Sequence, residues 1–360
     1  MKHHPFVFLM MSLFCFFSSA QTLDLNYFAG NIARHDKDIA HLITHHPEGF
    51  LFSYNQQTSE ADAWAKAFNY PDVGTSLMYQ NFKNDAIGAN VSIYRHYNFY
   101  FWNRKMVFRI GQGIAYAGKK YHKSENYRNL FYGTHIVAST YAMLNYHYPN
   151  LWKQWGIQAG IFMTHYSNGS LKSPNKGVNT LNVNFGVQYA LNSNTNKDPS
   201  LLPDHIDLNE KIRFQGKLSL GMNEGDIIET GQYPFFILSV SVDKRLNRKS
   251  ALQLGTDFFV SYFLKEHIKY SATAFPEGNL KGNEDFLRLG IFFGHELFIN
   301  KWSLVTQIGY YVYNPAGFES DVYFRGGLKR YFNKKWFGSV GIKTHALKAE
   351  ALEWGIGIRF

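Results

Sequence analysis

Apolar and polar residues alternate along much of this chain. In the closing stretch EWGIGIRF, every second residue from Trp354 to Phe360 is apolar, and the residues between them are glycine or charged. A period of two is that of a β-strand with one apolar face, and many such strands in succession are stronger evidence than one. The same pattern returns between Leu252 and Tyr262 and between Trp302 and Val312. The chain is therefore predicted to be all-β.

The alternation predicts sixteen strands, with fourteen as the alternative because the first two are the least regular. They span 24–34, 46–56, 74–83, 88–100, 106–117, 134–147, 155–166, 180–191, 209–222, 232–244, 250–263, 283–296, 301–313, 320–331, 335–346 and 350–360. Connections after odd-numbered strands are mostly long, including 264–282, and those after even-numbered strands are mostly short. Two exceptions are 57–73, which has the composition of a short helix, and 192–208, which resembles a junction between two eight-strand units.

The first twenty residues have the organisation of a secretory signal peptide. Lys2 is followed by an apolar run from Phe6 to Phe17 and by the small residues SSA. The run is shorter than the roughly 20 residues that a membrane-spanning helix needs, so we predict cleavage after residue 20. Cys15 is the only cysteine and lies inside this segment, so the mature chain offers neither a disulfide nor a catalytic thiol.

Composition then narrows the class. Aromatic residues make up 18% of the chain, glycine is frequent, and no later apolar run has the length of a membrane helix. A secreted chain of this kind is predicted to be an antiparallel transmembrane β-barrel of the bacterial outer membrane, with about 14–16 strands. Its aromatic last residue resembles the assembly signal of such barrels. The formal charge of +10 does not indicate nucleic acid, which is not a partner in that compartment.

We predict one continuous barrel. Residues 21–191 would form its N-terminal half and residues 192–360 would add further strands. Strand 180–191 would pair with strand 209–222, and the last strand would close on the first, because a single closure hides every strand edge from lipid.

The stretch FMTHYSNGSLKSPNKGVNTLNV contains the candidate chemistry. His165 and Ser167 share one face of a strand, with Cβ atoms about 6–7 Å apart. Asn179 has the same parity on the returning strand, so all three polar residues continue the apolar, lipid-facing set. Polar groups there are costly unless they pair or perform a function. The alternative is that they lie in the headgroup zone and only bind water.

The three side chains fit a serine esterase. A serine hydroxyl needs a neighbouring base, and a third group must hold the imidazole in the right tautomer. Ser167 is therefore predicted as the nucleophile, His165 as the base and Asn179 as the orienting group. Because they face lipid, their substrate would be an ester in a membrane lipid.

At these residues the sequence resembles the lipid A 3-O-deacylase (PagL), acyloxyacyl hydrolase-like family. That family's motif is H-x-S-N, followed by P-N-x-G and a carboxylate twelve residues after the serine. The matching residues are His165, Ser167, Asn168, Pro174, Asn175 and Gly177. The resemblance is close at the motif and loose over 21–191, and we expect no counterpart for 192–360. It implies that Asn168, Asn175 and Gly169 are the oxyanion or substrate-positioning candidates.

This sequence departs from the family by having Asn179 in place of glutamate. Outer-membrane phospholipase A, which the motif also resembles, has H-x-S-N-G and an asparagine at the same twelve-residue spacing. The predicted function is removal of an ester-linked acyl chain from lipid A. The alternatives are a phospholipase A and a non-catalytic, porin-like transport barrel with an aqueous lumen. Lipid A, lipopolysaccharide or phospholipid would be the partner, and a homodimer is left open.

We expect no cofactor and no metal. Glu224, Asp226 and Glu229 lie together in one loop, where they would supply a substitute acid or bind calcium if they were not simply solvated.

Overall fold

The computed structural model describes residues 21–58, 63–191, 210–346 and 348–360, and it is all-β. The predicted signal peptide (1–20) and the predicted junction (192–208) lie outside the described residues. The described part contains sixteen strands joined only by antiparallel pairs, which confirms the predicted fold class.

The first eight strands are β1 (Gln21–Ile32), β2 (Glu48–Gln57), β3 (Asp72–Asn81), β4 (Ala89–Phe101), β5 (Met106–Ala117), β6 (Ile136–Trp152), β7 (Trp155–Ser167) and β8 (Val178–Ala190). The second eight are β9 (Arg213–Asn223), β10 (Tyr233–Arg245), β11 (Ser250–Ser261), β12 (Leu287–Ile299), β13 (Trp302–Tyr313), β14 (Val322–Tyr331), β15 (Trp336–His345) and β16 (Lys348–Arg359). Every predicted strand has an observed counterpart, because alternation is a local property that each strand shows by itself.

In the described connections there are three helices. A 3₁₀ helix spans Lys37–Leu42, α1 spans Ala63–Ala67, and α2 spans Tyr262–Ala274. The predicted short helix in 57–73 is thus present as α1, whereas α2 occupies much of a connection predicted to be only a loop. Within the described ranges, no helix is long and apolar enough to cross a membrane.

The prediction of one continuous barrel is wrong. Strand β8 pairs with β1, where Val187 lies opposite Leu25, and β16 pairs with β9, where Trp354 lies opposite Leu220. The chain therefore forms two closed eight-strand barrels, the first barrel (β1–β8) and the second barrel (β9–β16). Each closure leaves no free edge, so two small barrels meet the requirement for paired backbone groups as well as one wide barrel would.

The large inward-facing side chains explain the narrow barrels, since eight strands enclose a space that side chains alone can fill. In the first barrel the middle of the lumen is filled by a buried apolar cluster. Its members are Phe28, Leu51, Met78, Tyr94, Tyr141, Met143 and Phe162. Arg109 and Asp24 form a buried ion pair at 2.7 Å towards one end.

Ion pairs fill much of the second lumen. Buried pairs there include Arg288–Glu350 at 2.6 Å, Lys343–Glu350 at 2.8 Å, and Arg325–Asp257, Arg325–Glu353 and Lys329–Glu296 at 2.9 Å. The aqueous lumen expected for a single sixteen-strand pore is therefore not the arrangement of either barrel.

The outer walls are apolar. On the first barrel, Leu181, Val183 and Phe185 each expose more than half of their surface, and on the second barrel Leu254 and Ile291 do the same. Such a band of outward apolar side chains matches a lipid environment.

All connections that follow odd-numbered strands lie at one end of the barrels, which we call the loop end. There, an apolar cluster covers the top of the first lumen. It consists mainly of Ile39, Leu42, Phe82, Ile87, Phe131, Tyr132, Tyr166 and Val178. Because Tyr166 and Val178 belong to this cluster, the residues beside them on β7 and β8 must face outward.

Candidate active site

The site lies where β7 and β8 reach the loop end of the first barrel. His165 lies directly opposite Asn179, one step beyond the buried pair Thr164 and Thr180. The two threonines face the lumen, so His165 and Asn179 face the outer wall. This is the orientation that the sequence parity predicts.

His165 and Asn179 are hydrogen-bonded, with 2.7 Å between His165 Nδ1 and Asn179 Oδ1. An amide oxygen can only accept, so Nδ1 carries the proton and Nε2 presents a lone pair. That lone pair is what a general base requires.

His35 is a neighbour that sequence reasoning missed. Asn179 Nδ2 lies 3.3 Å from His35 Nδ1, and His35 Nε2 lies 2.9 Å from the carbonyl oxygen of Lys176. With the proton on Nε2, His35 donates to that carbonyl and accepts from the Asn179 amide. This arrangement favours the Asn179 orientation in which Oδ1 faces His165. No local motif signals His35, because it follows β1 and lies 144 residues before Asn179 in the chain.

Ser167 is the last residue of β7 and is only 6% exposed. Its hydroxyl oxygen accepts hydrogen bonds from the Gly169 backbone N–H and from Asn175 Nδ2, both at 3.0 Å. Asn168 N donates to Asn175 Oδ1 at 2.8 Å, which directs the amide nitrogen of Asn175 towards Ser167. Two donors thus converge on the serine oxygen.

The Asn168 side chain is used differently. Its Nδ2 donates to the carbonyl oxygen of Lys172 at 2.7 Å and so holds the following loop. Among the oxyanion candidates, the structure therefore brings Asn175 and the backbone of Gly169 to Ser167, while Asn168 contributes its backbone to orienting Asn175.

Gly177 separates the histidine from the serine. It has a φ of +66°, and a Cβ at this position would lie 3.5 Å from His165 Cε1 and 3.6 Å from Ser167 Cβ. Both catalytic candidates thus flank one glycine. Within the described ranges, no hydrogen bond joins Ser167 to His165. Such bonds are often long in an enzyme without substrate.

The acidic loop residues have other partners. Glu224 accepts from the backbone N–H groups of Ser173 and Gly231, Asp226 pairs with Lys348, and Glu229 pairs with Lys123. His165 is not among these partners, and its own side-chain hydrogen bond is to Asn179. In the part of the chain that the structure describes, no group of three histidine, cysteine or acidic side chains is arranged to hold a metal.

Known families match both halves of the chain. Residues 48–188 match the model "Lipid A 3-O-deacylase (PagL)", and residues 212–360 match "Acyloxyacyl hydrolase, C-terminal domain". The protein is thus an ester hydrolase built on β-barrels. More particularly, the chain belongs to the lipid A 3-O-deacylase (PagL) family, whose general function is lipid A deacylation. The expectation that 192–360 lack a counterpart is wrong for 212–360, which correspond to the second barrel.

Solved structures add little. No curated protein matches the chain significantly. CdiB from Acinetobacter baumannii is 9% identical to this chain, and the match covers 96% of this chain with a TM-score of 0.18. The chain spans 60% of the length of CdiB. A porin variant from Rhodopseudomonas blastica is 8% identical over 94% and 99% of the two chains (TM-score 0.19). The FrpB iron transporter from Neisseria meningitidis is 10% identical over 91% and 47% (TM-score 0.21). These TM-scores are too low to support an argument.

Proposed function

We propose that the protein is an outer-membrane serine esterase that removes an ester-linked acyl chain from lipid A. Ser167 is the nucleophile, His165 the general base and Asn179 the group that orients the imidazole. The observation that carries the proposal is the hydrogen bond from His165 Nδ1 to Asn179 Oδ1 on the outer wall of the first barrel. It leaves Nε2 unprotonated on a wall that faces lipid.

The reaction proceeds in two steps. Ser167 Oγ attacks the acyl carbonyl while its proton passes to His165 Nε2, and the proton then goes to the ester oxygen of the sugar, which leaves as a hydroxyl. Water, deprotonated by the same nitrogen, then attacks the carbonyl of the acyl-serine, and the nitrogen returns this proton to Ser167 Oγ as the fatty acid leaves. The negative charge that develops on the carbonyl oxygen is stabilised by the Gly169 N–H and by Asn175 Nδ2, the two donors that already converge on Ser167.

The preferred substrate is lipid A, in line with the family and with the P-N-x-G segment that supplies Asn175 and Gly177. A site at the loop end of the lipid-facing wall would meet lipid A if this end is the extracellular one, as long loops on that side indicate.

Phospholipid is the second candidate substrate. The observation that favours it is Asn179, because an asparagine at this spacing is the third member that outer-membrane phospholipase A has.

Mass spectrometry tests the proposal. Lipid A and phospholipids are extracted from cells that make the wild-type protein, Ser167→Ala or Ser320→Ala, the last replacing an exposed serine in a loop of the second barrel. We expect lipid A to lose one acyl chain with the wild type and the control only. Loss of acyl chains from phospholipid alone would favour the second candidate, and deacylation by Ser167→Ala would contradict the assignment of the nucleophile.

A further inference from the structure

The loop that carries the oxyanion candidates is shared between the two barrels. This segment, residues 168–177, is called the site loop. Its first half contacts the second barrel: Ser170 Oγ donates to the carbonyl oxygen of Ala349, and Gln232 Nε2 donates to that of Leu171, both at 2.6 Å. These hydrogen bonds attach part of the first barrel's candidate site to the second barrel.

Glu224, which follows β9, makes the most specific of these contacts. Its Oε2 accepts the backbone N–H of Ser173 at 2.9 Å, and its own N–H donates to the carbonyl oxygen of Ser170 at 3.0 Å. Its Oε1 accepts the N–H of Gly231 at 3.3 Å, so the carboxylate is also held by its own loop. Glu224 is 5% exposed, and hydrogen bonds to a buried carboxylate are stronger than those between neutral groups.

The second half of the site loop is fixed to the first barrel instead. Lys176 N donates to the carbonyl oxygen of Leu130 at 3.1 Å, and Gly177 N donates to that of Phe131 at 3.0 Å. Asn175 therefore lies between an anchor on the first barrel and the Glu224 anchor at Ser173. Its position relative to Ser167 depends on both.

Close packing adds to this dependence at Gly169. The residue has a φ of +66°, and a Cβ there would lie 2.9 Å from Leu352 Cβ on the outer wall of the second barrel. The backbone that offers its N–H to Ser167 is thus in contact with β16.

We propose that the second barrel positions the oxyanion donors of the first barrel, and that Glu224 is the positioning residue. The inference rests on the proposed function and extends it to the family's C-terminal domain. Glu224 touches no reacting atom. It holds Ser173, and through it Asn175, at the place where the amide nitrogen reaches Ser167.

Kinetics on the purified full-length protein in detergent provide the first test, with a p-nitrophenyl ester as the probe. For Glu224→Ala we expect kcat to fall about 10- to 100-fold with little change in KM, because small displacements of catalytic groups have effects of that size. Glu224→Gln keeps an amide oxygen that accepts from Ser173 N but loses the acceptor for Gly231 N, so it should recover part of the rate. The matched control is Glu229→Ala, which removes an exposed ion pair between the same loop and Lys123 of the first barrel.

A double-mutant cycle tests the route. If Glu224 acts through Asn175, the Glu224→Ala change should cause little further loss in an Asn175→Ala background, since residues that share one effect are not additive. Ser173→Ala, which removes the hydroxyl that donates to the Gly225 carbonyl, gives a second variant with a smaller loss in the same direction. Ser173→Ala replaces Glu224→Ala as the test variant if Glu224→Ala fails to fold.

Hydrogen–deuterium exchange separates this inference from the proposed function. Glu224→Ala should speed exchange in the site loop while β7 and β8 remain protected, whatever the reaction is. Wild-type kcat or unchanged exchange in Glu224→Ala, an equal loss in Glu229→Ala, or full additivity with Asn175→Ala would each overturn the positioning role. Activity in Ser167→Ala would instead overturn the proposed function, and the exchange result would still stand.

Discussion

The two barrels have the same strand number and closure, but they fill their interiors with different chemistry. In the first lumen, the buried charged side chains among the described residues are Asp24, Asp72 and Arg109, and most of the remainder is aromatic or neutral polar. The second lumen is crossed by ion pairs that centre on Arg325 and Glu350.

The difference bears on the site. Asp24 pairs across the sheet with Gln188, nine residues along β8 from Asn179, or about 30 Å at the rise of a strand. The lumen directly beneath His165 is neutral, so no buried charge acts on the imidazole at close range. The first barrel, which carries the candidate site on its wall, thus has a neutral interior below that site, and the second barrel, which has the charged interior, contacts the site loop.

The largest effect should come from the outer wall of the first barrel. His165→Ala should lower deacylation by at least about 10³-fold, because loss of the base removes the activation of Ser167. His295→Ala on the outward face of β12 is the control and should leave the rate unchanged. The measurement is release of fatty acid from purified lipid A, with heat-modifiable migration as the test of folding. A similar loss in both variants would show that wall histidines affect the barrel and not the chemistry.

The second effect is on stability and should separate the two lumens. Arg325→Met leaves the buried Asp257 without its cation and leaves Glu353 with Lys217 alone, at 3.8 Å, which should lower the free energy of unfolding by about 3–5 kcal/mol. Tyr141→Phe in the first lumen removes only a neutral hydrogen bond to Ser76 and should cost about 1 kcal/mol. Urea unfolding in phospholipid vesicles measures both. Equal losses would show that ion pairs do not distinguish the second lumen.

The third effect concerns the orienting group. Asn179→Leu should lower kcat by at least a few tens-fold, because the imidazole loses the acceptor that fixes its tautomer. Asn179→Glu should retain activity, since a carboxylate accepts the same proton. Initial rates of fatty-acid release from lipid A measure both variants. Full activity in the leucine variant would mean that another group orients His165.

A smaller effect should come from His35. His35→Ala removes the acceptor of Asn179 Nδ2, so the orientation of the amide with Oδ1 towards His165 is less favoured. We expect the rate to fall about 3- to 10-fold, the range for one modest hydrogen bond. Either oxygen of a carboxylate can accept the hydrogen bond from His165 Nδ1, so the loss of rate caused by His35→Ala should vanish in an Asn179→Asp background. Persistence of the loss there would indicate that His35 acts by some other route.

The smallest effect should come from the ion pair at the end of the site loop. Lys176 donates to Asp36 at 2.9 Å, and this hydrogen bond holds the pKa of Asp36 below its ordinary value. Because the pKa of Asp36 is lowered in the folded protein, the ionised carboxylate stabilises the fold at pH values above its unfolded pKa of about 3.9. This stabilisation is lost as the pH falls through the folded pKa. Because both side chains are partly exposed, Lys176→Met should change the rate at pH 7 by no more than about 2-fold. A loss of tenfold would mean that this pair shapes the site directly.

Local features of this structure could be predicted from the sequence, and the closure of the barrels could not. The alternation that defines β8 is the same whether Val187 lies opposite Leu25 or opposite a residue of β9, so it carries no information on the partner. The long junction at 192–208 and large inward side chains such as Tyr141 and Tyr323 were the available signs of two narrow barrels. They are indirect, because they concern the volume of the lumen and not the pairing of a strand.

The same distinction applies to the site. The spacing of His165, Ser167 and Asn179 follows from two neighbouring strands, so a local motif is enough to predict it. His35 and Glu224 reach the site from other connections, and no spacing in the sequence relates them to it.

The filled lumens have a consequence for the membrane barrier. Among the described residues, aromatic clusters and ion pairs fill the interiors of both eight-strand barrels, and a space of about 40 Å³ in the second lumen has room for little more than ordered water. The larger pocket, of about 840 Å³, lies at the loop end of the second barrel, where the buried Glu350 and His345 line it. We therefore expect a cell to change its lipid surface with this protein without making its outer membrane more permeable.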